Sequence, residues 1–398
     1  MDQNNLTHRP QPKAESEGDN VDFTINEADI DKPEPSQESA TMKHRKRFKK
    51  LHLPKTKKGR LGLIIVLVII AGLVYHFTSS TKPKVTIADL RKTTVPKSDL
   101  VPSLLTGQPV APSVNKIPIT GVMIENSRQA RPQSGLSSAG VVFEALTEGG
   151  ITRFLALYQN TAPNNVGPIR SARPYFVSWD MGFGAAYAHV GGSPAALSDI
   201  QAWGTEDLNQ FYNGNYYHRI SSRLAPHNVY TAISTLNQLE QNKGFTSVTF
   251  QGFPRQKAQP LAKPSVTNIN LALSRSDYNV NYTYDSKTNT YNRDEGGAPM
   301  IDANNNQQIS PSVVIAIVVQ ETQGPLDSSG AYYSEYNVNS SGTAYVFQDG
   351  GLTIGQWSKA GNNSPIIFTT SNGNPLKLIP GQTWITAITS QSQLTYGL

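Results

Sequence analysis

The side chains best suited to chemistry are concentrated in one stretch of this sequence. Glu144, Glu148 and Arg153 stand in EALTEGGITRF, and Arg170 and Arg173 in GPIRSAR. His189, Ser193 and Asp199 follow in HVGGSPAALSD, then Arg219, Arg223, His227 and Asn228 in HRISSRLAPHN. In GPIRSARP two arginines lie three residues apart, where glycine and proline fix a turn and a helix is expected to start. Arginine offers a rigid fork of donors matched to carboxylate or phosphate, and a helix N-terminus adds its own preference for anions. The functional reading is an anion-binding turn. The bland one is a pair of salt-bridged arginines, with Glu144 and Glu148 as the obvious partners.

HVGGSP places His189 at the end of a strand, then two glycines, then a helix opened by Ser193. Open α/β sheets bind ligands at such strand-to-helix crossings. Ser193 nevertheless reads first as an N-cap, and His189 first as a hydrogen-bonded core histidine. No GK[ST] follows the glycines and G-x-S-x-G is absent, so neither a phosphate loop nor a nucleophile elbow is expected. His227 and Asn228, in the APHN loop, are candidates for a site because loops carry function more often than cores do. His218 to Arg223 could form a positive lid. The candidate acid–base groups are thus His189, His227, Glu144 and Glu148. The candidate ligand-binding groups are Arg170, Arg173, Arg153, Ser193, Arg219, Arg223 and Asn228. If the segment from Val141 were helical, Glu144 and Glu148 would share a face and could form a glycosidase-like pair, although such pairs usually converge from different elements. The chain has no cysteine, and no H-E-x-x-H or H-x-H spacing occurs. No metal and no cofactor are expected. Asp302, Asp349 and Trp357 are further possible contacts.

The elements that must position these groups come in two styles. From Ile119 to about residue 245 the pattern is α/β. ITGVMIE and TRFLALY suit strands, VVFEAL suits a strand or a short helix, and AYAHVG ends a strand in glycines. Helices are expected at 174–183, 193–203 and 231–242, the last stopped by Gly244. From 246 onward short β runs prevail. Hairpins are expected in VNYTYDSKTNTYNR and GTAYVFQDGGLTIGQWSK, a buried strand in VVIAIVVQ, and two strands about a Pro-Gly turn in PLKLIPGQTWITAIT.

Upstream, charge and hydropathy divide the chain. Residues 1–41 carry ten acidic side chains against three basic ones, and residues 42–78 carry ten basic side chains and no acid. The net charge of +6 is therefore mostly local, and a nucleic-acid partner is not expected. LGLIIVLVIIAGLVYHF, residues 61–77, is long enough for a short membrane span. The basic run MKHRKRFKKLHLPKTKKGR before it places the N-terminus in the cytoplasm. The expected organisation is a disordered tail with a basic juxtamembrane run (1–60), a transmembrane helix (61–78) and an extended linker (79–116). An α/β domain (117–245) and a β-rich domain (246–398) then lie outside the cell membrane. A large cysteine-free domain can build its own core there without disulfides.

These motifs in order, RPQSGLSSAGVVFEALTEGGITRFLALYQ, VGPIRSARPYF, HVGGSP, APHN, YDSKTNTYNR, Asp302, FQDGGLTIGQW and LIPGQTWI, are similar to the YerB-like family of bacterial envelope proteins from about Lys116 to Leu398. The resemblance implies an N-terminal layered α/β sandwich-like domain with a mixed sheet, followed by a smaller β-rich domain. It also implies residence outside the cytoplasmic membrane; the family is catalogued as one of no known function, and a role in cell-wall assembly is the expectation taken here. Members are commonly lipoproteins, whereas this chain offers an apolar helix as anchor. The family carries over no catalytic residues. Two functions are carried forward. The first is a binding or regulatory module for cell-wall glycan or wall-synthesis proteins, with Arg170 and Arg173 as anchors. The alternative is a glycan-acting hydrolase or transferase using the histidines and glutamates.

Overall fold

Alternation of apolar side chains along Val141–Leu146 and Thr152–Tyr158 sends successive residues to opposite faces of a sheet, and both faces are covered. The structure, a computed structural model, describes residues 86–398 except 328, together with 56, 68 and 69. Residues 86–398 form one compact unit. Its centre is a nine-stranded mixed sheet. In chain order its strands are β1 (Thr120–Glu125), β2 (Val141–Leu146), β3 (Thr152–Tyr158) and β4 (Ala186–Ala188) from the first half. Outside this sheet come the short ribbon β5 (His218–Arg219) and β6 (Val229–Tyr230), then β7 (Asn268–Leu271), β8 (Val280–Asp285), β9 (Thr290–Glu295) and β10 (Ala298–Pro299). The central sheet resumes with β11 (Val313–Val318), and the hairpin β12 (Glu321–Leu326) and β13 (Tyr332–Tyr336) projects from it. Next come β14 (Ser341–Gln348), β15 (Gly351–Ser358), β16 (Ile367–Thr370) and β17 (Thr383–Ile388), and β18 (Leu394–Gly397) ends the chain.

The central sheet runs β16-β15-β14-β11-β17-β2-β3-β1-β4, and a second sheet runs β10-β9-β8-β7-β18. One core lies between the central sheet and helices α2 (Pro174–Met181) and α3 (Pro194–Trp203). It takes Phe143, Leu155, Ile315 and Ile385 from the strands. The other lies between the central sheet and the second sheet plus α4 (Ile233–Lys243). It takes Val142, Phe154, Val314 and Trp384. Glu144 points into this second core and is fully buried there against Arg293 of β9, 3.0 Å away.

The layered mixed α+β architecture with a β-rich C-terminal part is as the sequence indicates, with three differences. First, residues 117–245 and 246–398 do not build separate cores. β17, near the end of the chain, pairs in parallel with β2 and with β11, so both halves share one sheet. Local periodicity cannot reveal a pairing between strands more than 230 residues apart. Second, the expected linker 79–116 is structured from Thr86 on. Helix α1 (Ile87–Lys92) carries a capping box between Thr86 and Asp89, and Ile87, Leu105, Val114 and Ile117 are buried. Spaced apolar anchors outweigh the Pro and Ser content there. Third, PLKLIPGQTWITAIT yields one central strand, not a pair around its Pro-Gly turn; the 375–379 stretch instead meets β16 and the 253–256 segment. The segment VVFEAL is a strand, so the helical face shared by Glu144 and Glu148 does not form. The tail 1–60 (apart from Thr56) and most of the expected span 61–78 lie outside the described residues. Among the described residues no helix is long and apolar enough to cross a membrane.

Candidate functional site

β1, β2 and β4 run in the same direction, because β1 and β2 both pair antiparallel with β3 and β4 pairs parallel with β1. Their C-terminal ends, and the start of β3, therefore meet at one edge of the sheet. This edge gathers Glu125, Glu148, Arg153 and the 189–192 turn. A crossing segment, 169–172, brings in Arg170 and Arg173. Its backbone is pinned on three sides: Arg170 N–H donates to Met123 O (3.0 Å), Ile169 N–H to Val229 O (2.8 Å), and Arg170 O accepts from Val190 N–H (3.0 Å).

Glu125 is the hub of the outer part. One of its oxygens, Oε1, meets His227 Nδ1 at 2.8 Å, Ser127 Oγ at 2.8 Å and Arg170 Nε at 3.2 Å. Its other oxygen is buried and has no hydrogen-bond partner among the described residues. A carboxylate at Nδ1 favours the proton there and leaves Nε2 as the open lone pair of the neutral ring. Ser127 Oγ also approaches Nδ1, at 3.4 Å. Serine and acid thus share one ring nitrogen, whereas a hydrolase triad places them on opposite ones. Burial lowers the pKa of Arg170 and Glu125 partly offsets it. The terminal nitrogens of Arg170 make no hydrogen bond among the described residues, and its side chain is 25% exposed.

The inner part is more fully paired, with only Arg153 Nε buried without a hydrogen-bond partner among the described residues. Glu148 accepts from Arg153 NH2 (2.8 Å) and from Arg173 through both Nε (3.0 Å) and NH2. Arg173 NH1 donates to Ala172 O, and Arg153 NH1 to Ser171 O at 2.7 Å. Burial works to raise the Glu148 carboxyl, but the two guanidiniums overcome it and hold it at about 2. Glu148 is consequently no proton donor near neutral pH. Glu144 is equally committed: Arg293 holds one oxygen, and Trp384 Nε1 (3.2 Å) and Thr386 Oγ1 (3.3 Å) hold the other.

The remaining predicted residues fall into place around this edge. His189 is fully buried, with Nδ1 2.7 Å from Gly191 O and Nε2 2.9 Å from Asp207 Oδ1, so it shapes the glycine turn. Ser193 Oγ accepts from Ala196 N–H and caps α3. Ser193, Arg173 and Tyr333 of the β12–β13 hairpin line a cleft of about 370 Å³, with the Tyr333 ring 4.8 Å from the Arg173 guanidinium. Arg219 donates to Asn228 Oδ1 (2.6 Å), and Arg223 donates to Gln129 O (3.1 Å) and Pro132 O (2.6 Å), fastening the 218–230 hairpin over the loop after β1. His218 is exposed and leans on Tyr230. Asp302 is buried, accepting from the backbone of Gly135 and Ser137. Asp349 and Trp357 likewise hold backbone and side-chain partners within the β-rich part. Glu125 and Ser127 stand in no motif of the sequence. The available signal was a carboxylate closing an otherwise apolar strand, ITGVMIE.

Two family models match in succession, described as the N-terminal and C-terminal domains of a protein of unknown function, DUF3048, at residues 105–246 and 269–385. A Bacillus subtilis (strain 168) protein described as "Putative lipoprotein YerB" is 30% identical over 295 residues, 71% of this chain and 85% of that protein. This chain belongs to the YerB-like family. The crystal structure of Bacillus subtilis YerB superposes with a TM-score of 0.67 at 28% identity, covering 75% of this chain and all of that one. The mixed sheet with its second β layer is therefore the family's architecture.

Proposed function

We propose that this YerB-like chain is a membrane-tethered binding module on the outer side of the cell membrane. It recognises cell-wall components, or the proteins that assemble them, through the Arg170–His227 edge. The observation that carries this reading is the state of Arg170. Its guanidinium is ion-paired with Glu125 through Nε at 3.2 Å without a hydrogen bond, and its terminal nitrogens make no hydrogen bond among the described residues, at the C-terminal edge of parallel strands. A donor fork held in place but not consumed is what a carboxylate or phosphate group needs. The apolar run 61–77 with basic residues before it supports a single-pass tether with the N-terminus inside. The lipoprotein description of the Bacillus subtilis relative supports a membrane tether in the family by another anchor.

The test uses the full-length chain in detergent, mixed with purified peptidoglycan sacculi. Sedimentation measures retention and mass spectrometry measures soluble fragments. Retention without fragments, lost in Arg170→Ala, is the expected result. The second reading, a glycan-acting hydrolase or transferase, is favoured by one observation only. His227 is oriented by Glu125 with Nε2 left open, which suits a general base. New fragments that disappear in His227→Ala would replace the binding reading with that one.

A further inference from the structure

The Arg170 segment is flanked on both sides by features that its role as an anion anchor does not use. On one side lies the 190–192 turn. Ala172 N–H donates to Gly191 O (2.9 Å), and Phe211 packs so closely on Gly191 that a Cβ there would stand 2.6 Å from the ring. Asn209 Oδ1 accepts from both Gly191 N–H (3.2 Å) and Phe211 N–H (3.1 Å), which ties the aromatic turn to the glycine turn. On that turn Phe211 is 67% exposed and Tyr212 is 82% exposed. On the other side lies β6, which leads back to His227. Two neighbouring aromatic rings held in solvent, on a turn packed against the glycine turn that meets the Arg170 segment, are costly unless something covers them.

Charge narrows what that is. Residues 208–239 contain no Asp or Glu. At the edge itself Arg153, Arg170 and Arg173 face Glu125 and Glu148, and Arg153 and Arg173 are consumed by Glu148. One positive charge is left in excess over the edge as a whole, because two guanidiniums share Glu148 while Arg170 pairs with Glu125. That balance suits a monoanion better than a phosphate dianion. The apolar faces of pyranose rings are what flat, exposed Tyr and Phe side chains cover.

We propose that this edge binds a saccharide carrying a carboxylate, with Arg170 on the carboxylate and Phe211 and Tyr212 on the sugar faces. This rests on the binding reading given above and names its ligand class. His227 Nε2, left open by the contact of Nδ1 with Glu125, accepts from a sugar hydroxyl.

Calorimetric titration of the full-length chain in detergent tests it with three probes. These are the N-acetylmuramic acid–N-acetylglucosamine disaccharide, the neutral N-acetylglucosamine dimer, and N-acetylglucosamine 6-phosphate. The acidic disaccharide is expected to bind about tenfold more tightly than the neutral dimer, one charge-assisted contact being the difference. Arg170→Gln is expected to erase that preference, whereas Tyr212→Ala weakens both disaccharides about fivefold and keeps it. Tyr212 is too exposed for loss of folding to explain its effect, and the thermal melt of Arg170→Gln, run alongside, separates lost folding from lost preference. Tighter binding of the sugar phosphate would overturn the charge argument. Absence of disaccharide binding, with sacculi still sedimenting the chain, would overturn this inference and leave the wall-binding reading standing. The disaccharide series intact without retention on sacculi would do the reverse. Retention on anionic lipid vesicles that Tyr212→Ala abolishes, with no sugar effect, would assign the aromatic turn to the membrane surface instead.

Discussion

Two glutamate–arginine pairs in this molecule use the same chemistry to opposite ends. Glu144 and Arg293 meet between the two sheets with no exposure on either side chain. Every oxygen of that carboxylate has a donor. The guanidinium also reaches Tyr282 OH at 2.7 Å and lies 4.5 Å from the Trp384 ring centre. Glu125 and Arg170 meet at the end of β1 in an ion pair at 3.2 Å, where the guanidinium is partly exposed and its terminal nitrogens make no hydrogen bond among the described residues. A buried pair whose donors and acceptors are exhausted holds layers together. A pair with donors left over can hold a ligand. The arginines of GPIRSAR repeat the lesson within four residues, since Arg173 is consumed by Glu148 while Arg170 is presented.

The comparison breaks most visibly at the buried pair. Arg293→Ala leaves Glu144 charged and uncompensated, and chemical denaturation is expected to show a loss of about 3–5 kcal/mol. The double variant Glu144→Leu with Arg293→Met should recover much of it, and failure to recover would mean that the pair is not the source of the effect. Next is the pH dependence of the closed cluster. Glu148 is held at about 2 in the folded state, below its ordinary value near 4.5. Its contribution is therefore complete above that ordinary value and is lost as pH falls from about 4.5 to about 2, amounting to up to about 3 kcal/mol. Glu148→Gln should flatten that part of a stability–pH curve; an unchanged slope would assign acid sensitivity elsewhere. Arg170→Ala should cost under about 1 kcal/mol of stability, as partly exposed pairs do, yet weaken wall retention at least about tenfold. If stability and retention fall together, the two pairs are not different in kind. Ser193→Ala removes a helix cap and should cost about 1 kcal/mol without altering retention, read by thermal melting and sedimentation.

Much of the local structure was legible before any coordinates. The helix opened by Ser193 and Pro194, the stop at Gly244, the buried strand at Val313 and both hairpins followed from caps, turn residues and periodicity. The polar cluster was legible as a list but not as an arrangement. Arg153, Arg170, Arg173, Glu148 and His227 do come to one edge, while His189 and Glu144 are buried structural groups. Glu125 passed unnoticed because a single carboxylate after five apolar or small residues looks like the end of a strand.

The sequence by itself determined the element types, the three charge zones of the chain and the family, because each of these is written in neighbouring residues. Tertiary structure alone decided that β17 joins the two halves by pairing between β11 and β2, that Arg173 is spent where Arg170 keeps its terminal nitrogens open, and that Glu125 organises the site. These depend on which strands become neighbours across hundreds of residues. Whether a charged side chain is a strut or a binding group depends on how many of its hydrogen bonds those neighbours leave unmade.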